Sequence, residues 1–525
     1  MPQLNRFIKN MISEEENSMD NKIFLGLELG STRIKAVGID SGFNPVLSGD
    51  YTWKSDFIDG VWTYSLDEVW KGLKTALAPF AGKDIAAMGV SAMMHGYLAF
   101  DENWNLLVPF RTWQNTITAQ AAAELTEAFN FNIPQRWSIA HLYQAILNAE
   151  EHVPQIAHIT TLAGYVHYML TGVNAVGIGE ASGIFPIDSE KLCYDEAMVA
   201  KFDQLAAAKG FGKKLLDVIP AVLVAGDKAG SLTEKGVAML DNILTPGIAF
   251  CPAEGDAGTG MTATNAVAER TGNVSAGTSI FSMVVLERPL KKVYEEIDLV
   301  TTPSGSAVAM VHCNNYTNDM NAWVSVLRET VELFGGSVST GELYTALYNK
   351  SLEGDTDCGG LTVYNYMAGE GVTHLDEGRP LVVRDASSKF TLANFLRAQL
   401  YATMSTLKIG MDILAEEGVA IDSLTGHGGL FKTPVVGQKY MAAACKAPVT
   451  VMETAGEGGP YGMALLAAFL MDECDTLEGF LSEKVFKDAK SVTLAPDSAD
   501  AEGFDRYLGK FRSGLAVERA AVENM

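Results

Sequence analysis

Twice along this chain a Gly/Ser/Thr corner joins two strand-like runs, and that repetition restricts the fold more than any other feature. The first copy lies in FLGLELGSTRIKAVGID, from Phe24 to Asp40. Phe24, Leu25, Leu27 and Leu29 form an apolar run broken by one carboxylate, Glu28. Gly30-Ser31-Thr32 turns the chain, and Ile34, Ala36 and Gly38 resume at every second position, which is the pattern of a β-hairpin. The second copy is NVSAGTSIFSMVVLE, Asn273 to Glu287, with Gly277-Thr278-Ser279 at its corner. One such hairpin alone reads as a plain turn. Two of them, each opening an α/β half, present backbone N–H groups suited to one polyphosphate in a cleft between the halves.

The remaining pattern fits that organisation. From Ile23 to about Met261, short apolar runs such as IAAMGVSAM (Ile85 to Met93) and GIAFCPAEGD (Gly247 to Asp256) alternate with helical stretches. Ser65 to Ala78 begins Ser-x-x-Glu, as a capping box does, and Ala119 to Phe129 is a second helix. Lys389 to Gly418 reads as one long amphipathic helix or a helix pair, and SLTGHGG (Ser423 to Gly429) as a strand ending in glycines.

Length and charge limit the partners. At 525 residues and 48% hydrophobic, the chain has material for two or more domains. Its formal net charge of −25 opposes nucleic acid and anionic membrane, so small-molecule partners are expected. Six scattered cysteines with no C-x-x-C pair point to reduced thiols and a cytoplasmic protein. The longest apolar stretches, such as GMALLAAFLM (Gly462 to Met471), are too short to span a bilayer.

Several residues carry candidate chemistry. In PAEGDAGTGM, Asp256 follows an apolar run and is flanked by Gly255 and Gly258, so it reads either as a helix N-cap or as a general base toward a hydroxyl. Met94 and His95, just past a strand, and Trp113 and Asn115 in RTWQNT offer apolar walls and polar tips of the kind found in sugar pockets, and equally on surfaces. Glycine clusters occur at GHGGLFKT (Gly426 to Thr433) and ETAGEGGPYG (Glu453 to Gly462). The dinucleotide fingerprint, the P-loop, G-x-S-x-G and H-E-x-x-H are all absent from the sequence.

The order of segments, from Leu27-Glu28-Leu29-Gly30-Ser31-Thr32 through Met93-Met94-His95-Gly96, Trp113-Gln114-Asn115, Gly255-Asp256-Ala257-Gly258 and Ser275-Ala276-Gly277-Thr278-Ser279 to Gly428-Gly429-Leu430-Phe431-Lys432 and Gly459-Pro460-Tyr461-Gly462, resembles the FGGY carbohydrate kinases, and within them the xylulokinase-like branch. The resemblance covers about Ile23 to about Met471. It implies an α/β fold of two ribonuclease-H-like, actin-like ATPase domains around a catalytic cleft. The expected divisions are a polar tail at 1–22, a sugar-binding domain at 23–264, a nucleotide-binding domain at 265–490 and a helical extension at 491–525.

By the same resemblance Asp256 is the catalytic base. Met94, His95, Trp113 and Asn115 meet the sugar. Gly30, Ser31, Thr32, Gly277, Thr278, Ser279, Gly428, Gly429 and Lys432 bind ATP, and Glu28 with Asp256 holds Mg²⁺. The substrate is a small sugar, D-xylulose or L-ribulose among ketopentoses, or another polyol or sugar acid. A nucleotide-dependent sugar-binding regulator without turnover is the rival reading, and a homodimer is a family-level expectation. Three departures stand out. Glu28 replaces the usual Asp. Trp113-Gln114-Asn115-Thr116-Ile117 replaces Trp-Asn-Asp-x-Arg, losing a carboxylate and a guanidinium. His141 and Tyr143 in AHLYQAI stand in the Lys-x-x-Trp segment.

Overall fold

The computed structural model describes residues 22–277, 279–453 and 458–525. The chain forms two compact units that are not contiguous blocks of sequence. The first takes in the chain up to Val267, Leu299–Ala307 and Glu457–Asp488; the second takes in Ala268–Asp298, Val308–Gly456 and Ala489–Met525. The continuous blocks 23–264 and 265–490 read from the sequence therefore differ from these units, because the segment around the helix Gly459–Phe469 packs with the first one.

In the first unit, β1 (Ile23–Leu29), β2 (Arg33–Ile39), β3 (Pro45–Thr52), β4 (Ile85–Ala92), β5 (Ala249–Phe250) and β6 (Glu254–Gly255) form one sheet. The order is β5-β4-β1-β2-β3, with β6 also on β4. β1 pairs antiparallel with β2 and parallel with β4. Leu25, Leu27 and Leu29 join the core that holds Val69, Leu73 and Leu77 of the helix Leu66–Leu77. Alternation sends Gly26 and Glu28 to the other face. There the helix Gly459–Phe469 lies so close that a Cβ at Gly26 would collide with the Pro460 carbonyl oxygen and the Ala464 nitrogen. Glycine here is what lets a helix lie on the strand that carries Glu28.

The second unit repeats the plan. β7 (Thr271–Ala276), β8 (Ile280–Val285), β9 (Ala307–Cys313), β10 (Ser423–Gly428), β11 (Val449–Met452) and β12 (Ser491–Leu494) run in the order β9-β8-β7-β10-β11-β12. Again a first strand pairs antiparallel with its hairpin partner and parallel with a later strand. The expected helix at 389–418 is a single one, Leu392–Glu416, buried all round from Ala393 to Leu407 rather than amphipathic there. The expected helical extension at 491–525 is a strand, β12, paired with β11, and then the helix Ser498–Asn524. Among the described residues no helix is long and apolar enough to cross a membrane.

Candidate active site

Three parallel strands of the first unit end at one level. Leu29 lies opposite Ala92, and Ala92 opposite Gly255. Gly30-Ser31-Thr32 leaves the end of β1, Met93-Met94-His95 the end of β4 and Asp256 the end of β6. The carboxyl ends of parallel strands are where α/β folds place their chemistry, because the chain must turn away there and leave its polar groups uncovered. Met93 N–H donates to the Leu29 carbonyl at 3.0 Å, and Met94 N–H donates to Asp256 Oδ1 at 3.1 Å.

Asp256 is the first residue of the helix Asp256–Ala263, whose N-cap is Gly255. Asp256 is therefore not the N-cap, and its carboxylate accepts from Met94 across the loop. Asp256 keeps an exposed edge, yet the protein crowded around its carboxyl strips enough water to push it up to about 6, against hydrogen bonds from the Met94 and Ala257 amides.

Glu28 lies against the first turn of the helix Gly459–Phe469. A Cβ at Gly459 would sit 2.9 Å from the Glu28 carboxyl carbon, so glycine leaves the space the carboxylate uses. Burial raises Glu28 to about 7; Lys35, its cross-strand partner, lowers it and Asp256 raises it. Its Oε2 is buried with no hydrogen-bond partner among the described residues. Among the described residues no group of three or more His, Cys, Asp or Glu encloses a metal position. An unpartnered carboxylate oxygen with few protein ligands suits Mg²⁺, which retains waters and takes further oxygens from phosphate.

Two carboxyls behind Asp256 escaped the sequence reading. Glu254 accepts from Glu180 N–H at 3.0 Å, and burial pushes its carboxyl up to about 8 despite amide hydrogen bonds from Glu180, Gly179 and Gly255. Gly177 and Gly179 leave no room for a Cβ beside that carboxyl. Glu180 is held well above the usual carboxylate range by burial, with the charges of Glu254 and Asp256 adding to it. A Cβ on Gly255 would meet Glu180 Oε2 at 2.6 Å, which sets Glu180 directly under the turn that leads into Asp256. The available signal was an acid flanked by small residues in GIGEASG, 177–183.

Met94 and His95 are buried side by side against Gly183: a Cβ there would lie 2.7 Å from His95 Nδ1 and 2.9 Å from the Met94 methyl. His95 adopts φ 71°, a left-handed conformation that costs a non-glycine residue energy, and its ring stacks on Trp137 with centroids 6.1 Å apart. Trp113 is partly exposed and donates its Nε1–H to Ser31 Oγ at 3.3 Å. The Asn115 side chain is turned onto backbone groups. Its Oδ1 accepts from Trp62 N–H at 2.8 Å while Nδ2 donates to the Trp62 carbonyl at 2.8 Å and the Thr112 carbonyl at 3.0 Å, so backbone partners consume the amide. His141 is buried in the helix Ser138–Leu147 and driven down to about 3 by burial and by Arg111; Tyr143 donates to Glu124 at 3.1 Å.

The second unit shows a matching arrangement. Ala276 at the end of β7 lies opposite Gly428 at the end of β10, and Gly277 N–H closes the corner onto the Ser279 carbonyl at 2.9 Å. Thr278 lies outside the described residues. Gly428 has φ 93°, and a Cβ there would strike the Ala276 carbonyl oxygen. Gly429 opens the 3₁₀ turn Gly429–Lys432, and Lys432 is exposed.

Comparison with known proteins agrees with this geometry. The N-terminal domain of the FGGY family of carbohydrate kinases matches residues 23–260, and its C-terminal domain matches residues 272–471. A xylulose kinase of Haemophilus influenzae is 21% identical over 430 residues, 78% of this chain and 83% of that protein. Two solved structures from Lactobacillus acidophilus, a ligand-bound xylulose kinase and a gluconate kinase, each superpose with a TM-score of 0.79 at 15% identity, covering 94% of this chain and 98% of theirs. The fold is the two-domain actin-like ATPase fold of those kinases, and it is common to enzymes named for different substrates. With both family domains matched across most of its length, the chain belongs to the FGGY family of carbohydrate kinases and is a sugar-kinase phosphotransferase.

Proposed function

We propose that this kinase transfers the γ-phosphoryl group of ATP to a terminal hydroxyl of a ketopentose, D-xylulose or L-ribulose, with Asp256 as the general base. The observation that carries the reading is the Met94–Asp256 hydrogen bond, which ties the Asp256 carboxylate to the loop that bears Met94 and His95, where this reading puts the substrate hydroxyl. The xylulose kinase relatives favour a ketopentose over the other polyols and sugar acids.

Asp256 accepts the hydroxyl proton as the sugar oxygen bonds to the γ-phosphorus and the bond to the β-phosphate oxygen breaks, leaving ADP and a phosphomonoester. Met94 fixes the carboxylate's orientation, and the Met94 and His95 side chains face the sugar. The corners Gly30-Ser31-Thr32 and Gly277-Thr278-Ser279 bind the phosphates, each closed by its own glycine amide on the Arg33 and Ser279 carbonyls, with Gly428, Gly429 and Lys432 toward the nucleoside. Glu28 would hold Mg²⁺ through its unpartnered Oε2, with Asp256 nearby. When bound, the ion supplies neutralisation of phosphate charge. The six unpaired cysteines support a reducing, cytoplasmic setting.

The test is ADP release from Mg-ATP with D- and L-xylulose, D- and L-ribulose, glycerol, erythritol and gluconate. Stimulation by one or two ketopentoses supports the reading. Stimulation by gluconate or glycerol alone moves the substrate class, and ATP consumption indifferent to every sugar defeats it.

A further inference from the structure

The Asn115 amide, the Trp113 indole and the phosphate-loop carbonyls belong to one hydrogen-bonded assembly within the first unit. Trp62 lies in the strand Val61–Thr63 of a small ribbon. Both its backbone groups are taken by Asn115, and Thr112 N–H reaches the same carbonyl at 3.2 Å. Two residues further on, Tyr64 donates its hydroxyl to the Ser31 carbonyl at 2.7 Å, and Trp53 donates Nε1–H to the Gly30 carbonyl, also at 2.7 Å. Trp113 closes the circuit by donating to Ser31 Oγ. The loop 112–115 is thus anchored to the ribbon at one point and touches the phosphate loop at another, while the ribbon's end holds that same phosphate loop from behind.

The chemistry at position 115 is specific. Its side chain must accept from one N–H and donate to the adjacent carbonyl at once, which an amide does and a carboxylate does not. Aspartate there would set an anionic oxygen against the carbonyls of Trp62 and Thr112. The carboxamide thus gives the departure at 115 a physical role: the residue is an anchor in this chain.

We propose that Trp113 is a positioning residue that couples sugar occupancy to the phosphate loop through Ser31, with Asn115 anchoring its loop. The inference rests on the kinase reading above. Trp113 is 37% exposed and its N–H edge holds Ser31; on the kinase reading its exposed part meets the sugar's carbon skeleton. A ring fixed by sugar holds Ser31 Oγ, and with it the loop amides, in one arrangement. A ring without sugar is freer to turn, and the loop loses that tether. Sugar therefore tightens Mg-ATP binding and, by linkage, nucleotide tightens sugar by the same factor.

The test uses the full chain and three variants: Trp113→Phe, which keeps the ring and lacks the N–H; Ser31→Ala; and the double variant. Trp113→Phe should raise KM for Mg-ATP at saturating sugar and KM for sugar at saturating Mg-ATP by the same factor, about fivefold, the loss one net hydrogen bond carries. In the Ser31→Ala background, Trp113→Phe should add nothing further. A rise in sugar KM alone, or effects that multiply in the double variant, overturns the coupling. Asn115→Asp should lower Tm and reproduce the rise in KM for Mg-ATP; an unchanged KM in the folded variant overturns the anchor. Sugar-dependent turnover by the unmodified protein is the control. Its absence defeats the kinase reading, whereas an active protein indifferent to Trp113→Phe defeats the coupling alone.

Discussion

The backbone N–H of Met94 donates to Oδ1 of Asp256 at 3.1 Å, joining the loop after β4 to a residue 162 positions later. That bond makes Asp256→Asn an informative variant. The asparagine Oδ1 still accepts from Met94, so the turn is kept while the base is lost. kcat should fall about 10²- to 10⁴-fold with sugar KM within a few-fold. Steady-state kinetics with a matched thermal melt checks this, and near-normal kcat would remove Asp256 as the base.

The same carboxyl sets a pH limb. Burial raises Asp256 to about 6, and a base acts in its ionised form. kcat/KM, which reports the free enzyme, should be level above about pH 7 and fall roughly tenfold per unit below about 6. A profile flat through that region would place the base elsewhere.

Stability should run the other way on the alkaline side. Glu28, Glu370 and Glu254 are raised from 4.5 to about 7, 7 and 8 by burial, so between about pH 6.5 and about 8 the folded protein keeps protons that the unfolded chain has lost. Their stabilisation is present at low pH and is lost as pH rises through these values. The buried His141, His167 and His427, lowered to about 3, 4 and 4, oppose this only below about pH 6.5, where the unfolded chain takes up protons. In chelator, Tm should therefore drop from about pH 6.5 to about 8. Glu254→Gln, which keeps an acceptor for the Glu180 amide, should flatten that drop. A Tm that climbs across the interval contradicts the assignment.

Metal dependence isolates Glu28. Glu28→Gln should raise the Mg²⁺ concentration for half-maximal rate by about tenfold or more. Gly459→Ala, which sets a methyl 2.9 Å from the Glu28 carboxyl carbon, should shift it in the same direction. Titrating Mg²⁺ at fixed ATP and sugar reads both, and an unchanged midpoint in Glu28→Gln removes this residue from the metal.

The features legible in the sequence are local or repeated. The two hairpins with Gly/Ser/Thr corners come from period-two alternation, and both exist with parallel partners at matching positions. The helix starting at Ser65 is legible, but its cap is not the expected box. Ser65 accepts from Asp67 N–H, while Glu68 turns to the Tyr51 hydroxyl at 2.6 Å on a neighbouring strand. Asp256 reads as cap or base from sequence, and the structure gives the N-cap to Gly255 and the Asp256 carboxylate a long-range bond from Met94. The anchoring of Asn115 is hidden because its partner, the Trp62 backbone, lies 53 residues away and a backbone group leaves no mark in side-chain pattern. The Glu180–Glu254 contact spans 74 residues and depends on glycines that matter for what approaches them. The division into units is hidden for the same reason: the helix that lies against Gly26 comes from the far end of the chain.

The most direct test is phosphorus NMR of the unmodified protein with Mg-ATP and D-xylulose or L-ribulose. One phosphomonoester resonance should grow in step with ADP, with little inorganic phosphate, and it should vanish when Asp256→Asn replaces the unmodified chain. Inorganic phosphate as the sole product, or ATP left intact beside both sugars, would contradict a ketopentose kinase that works through Asp256.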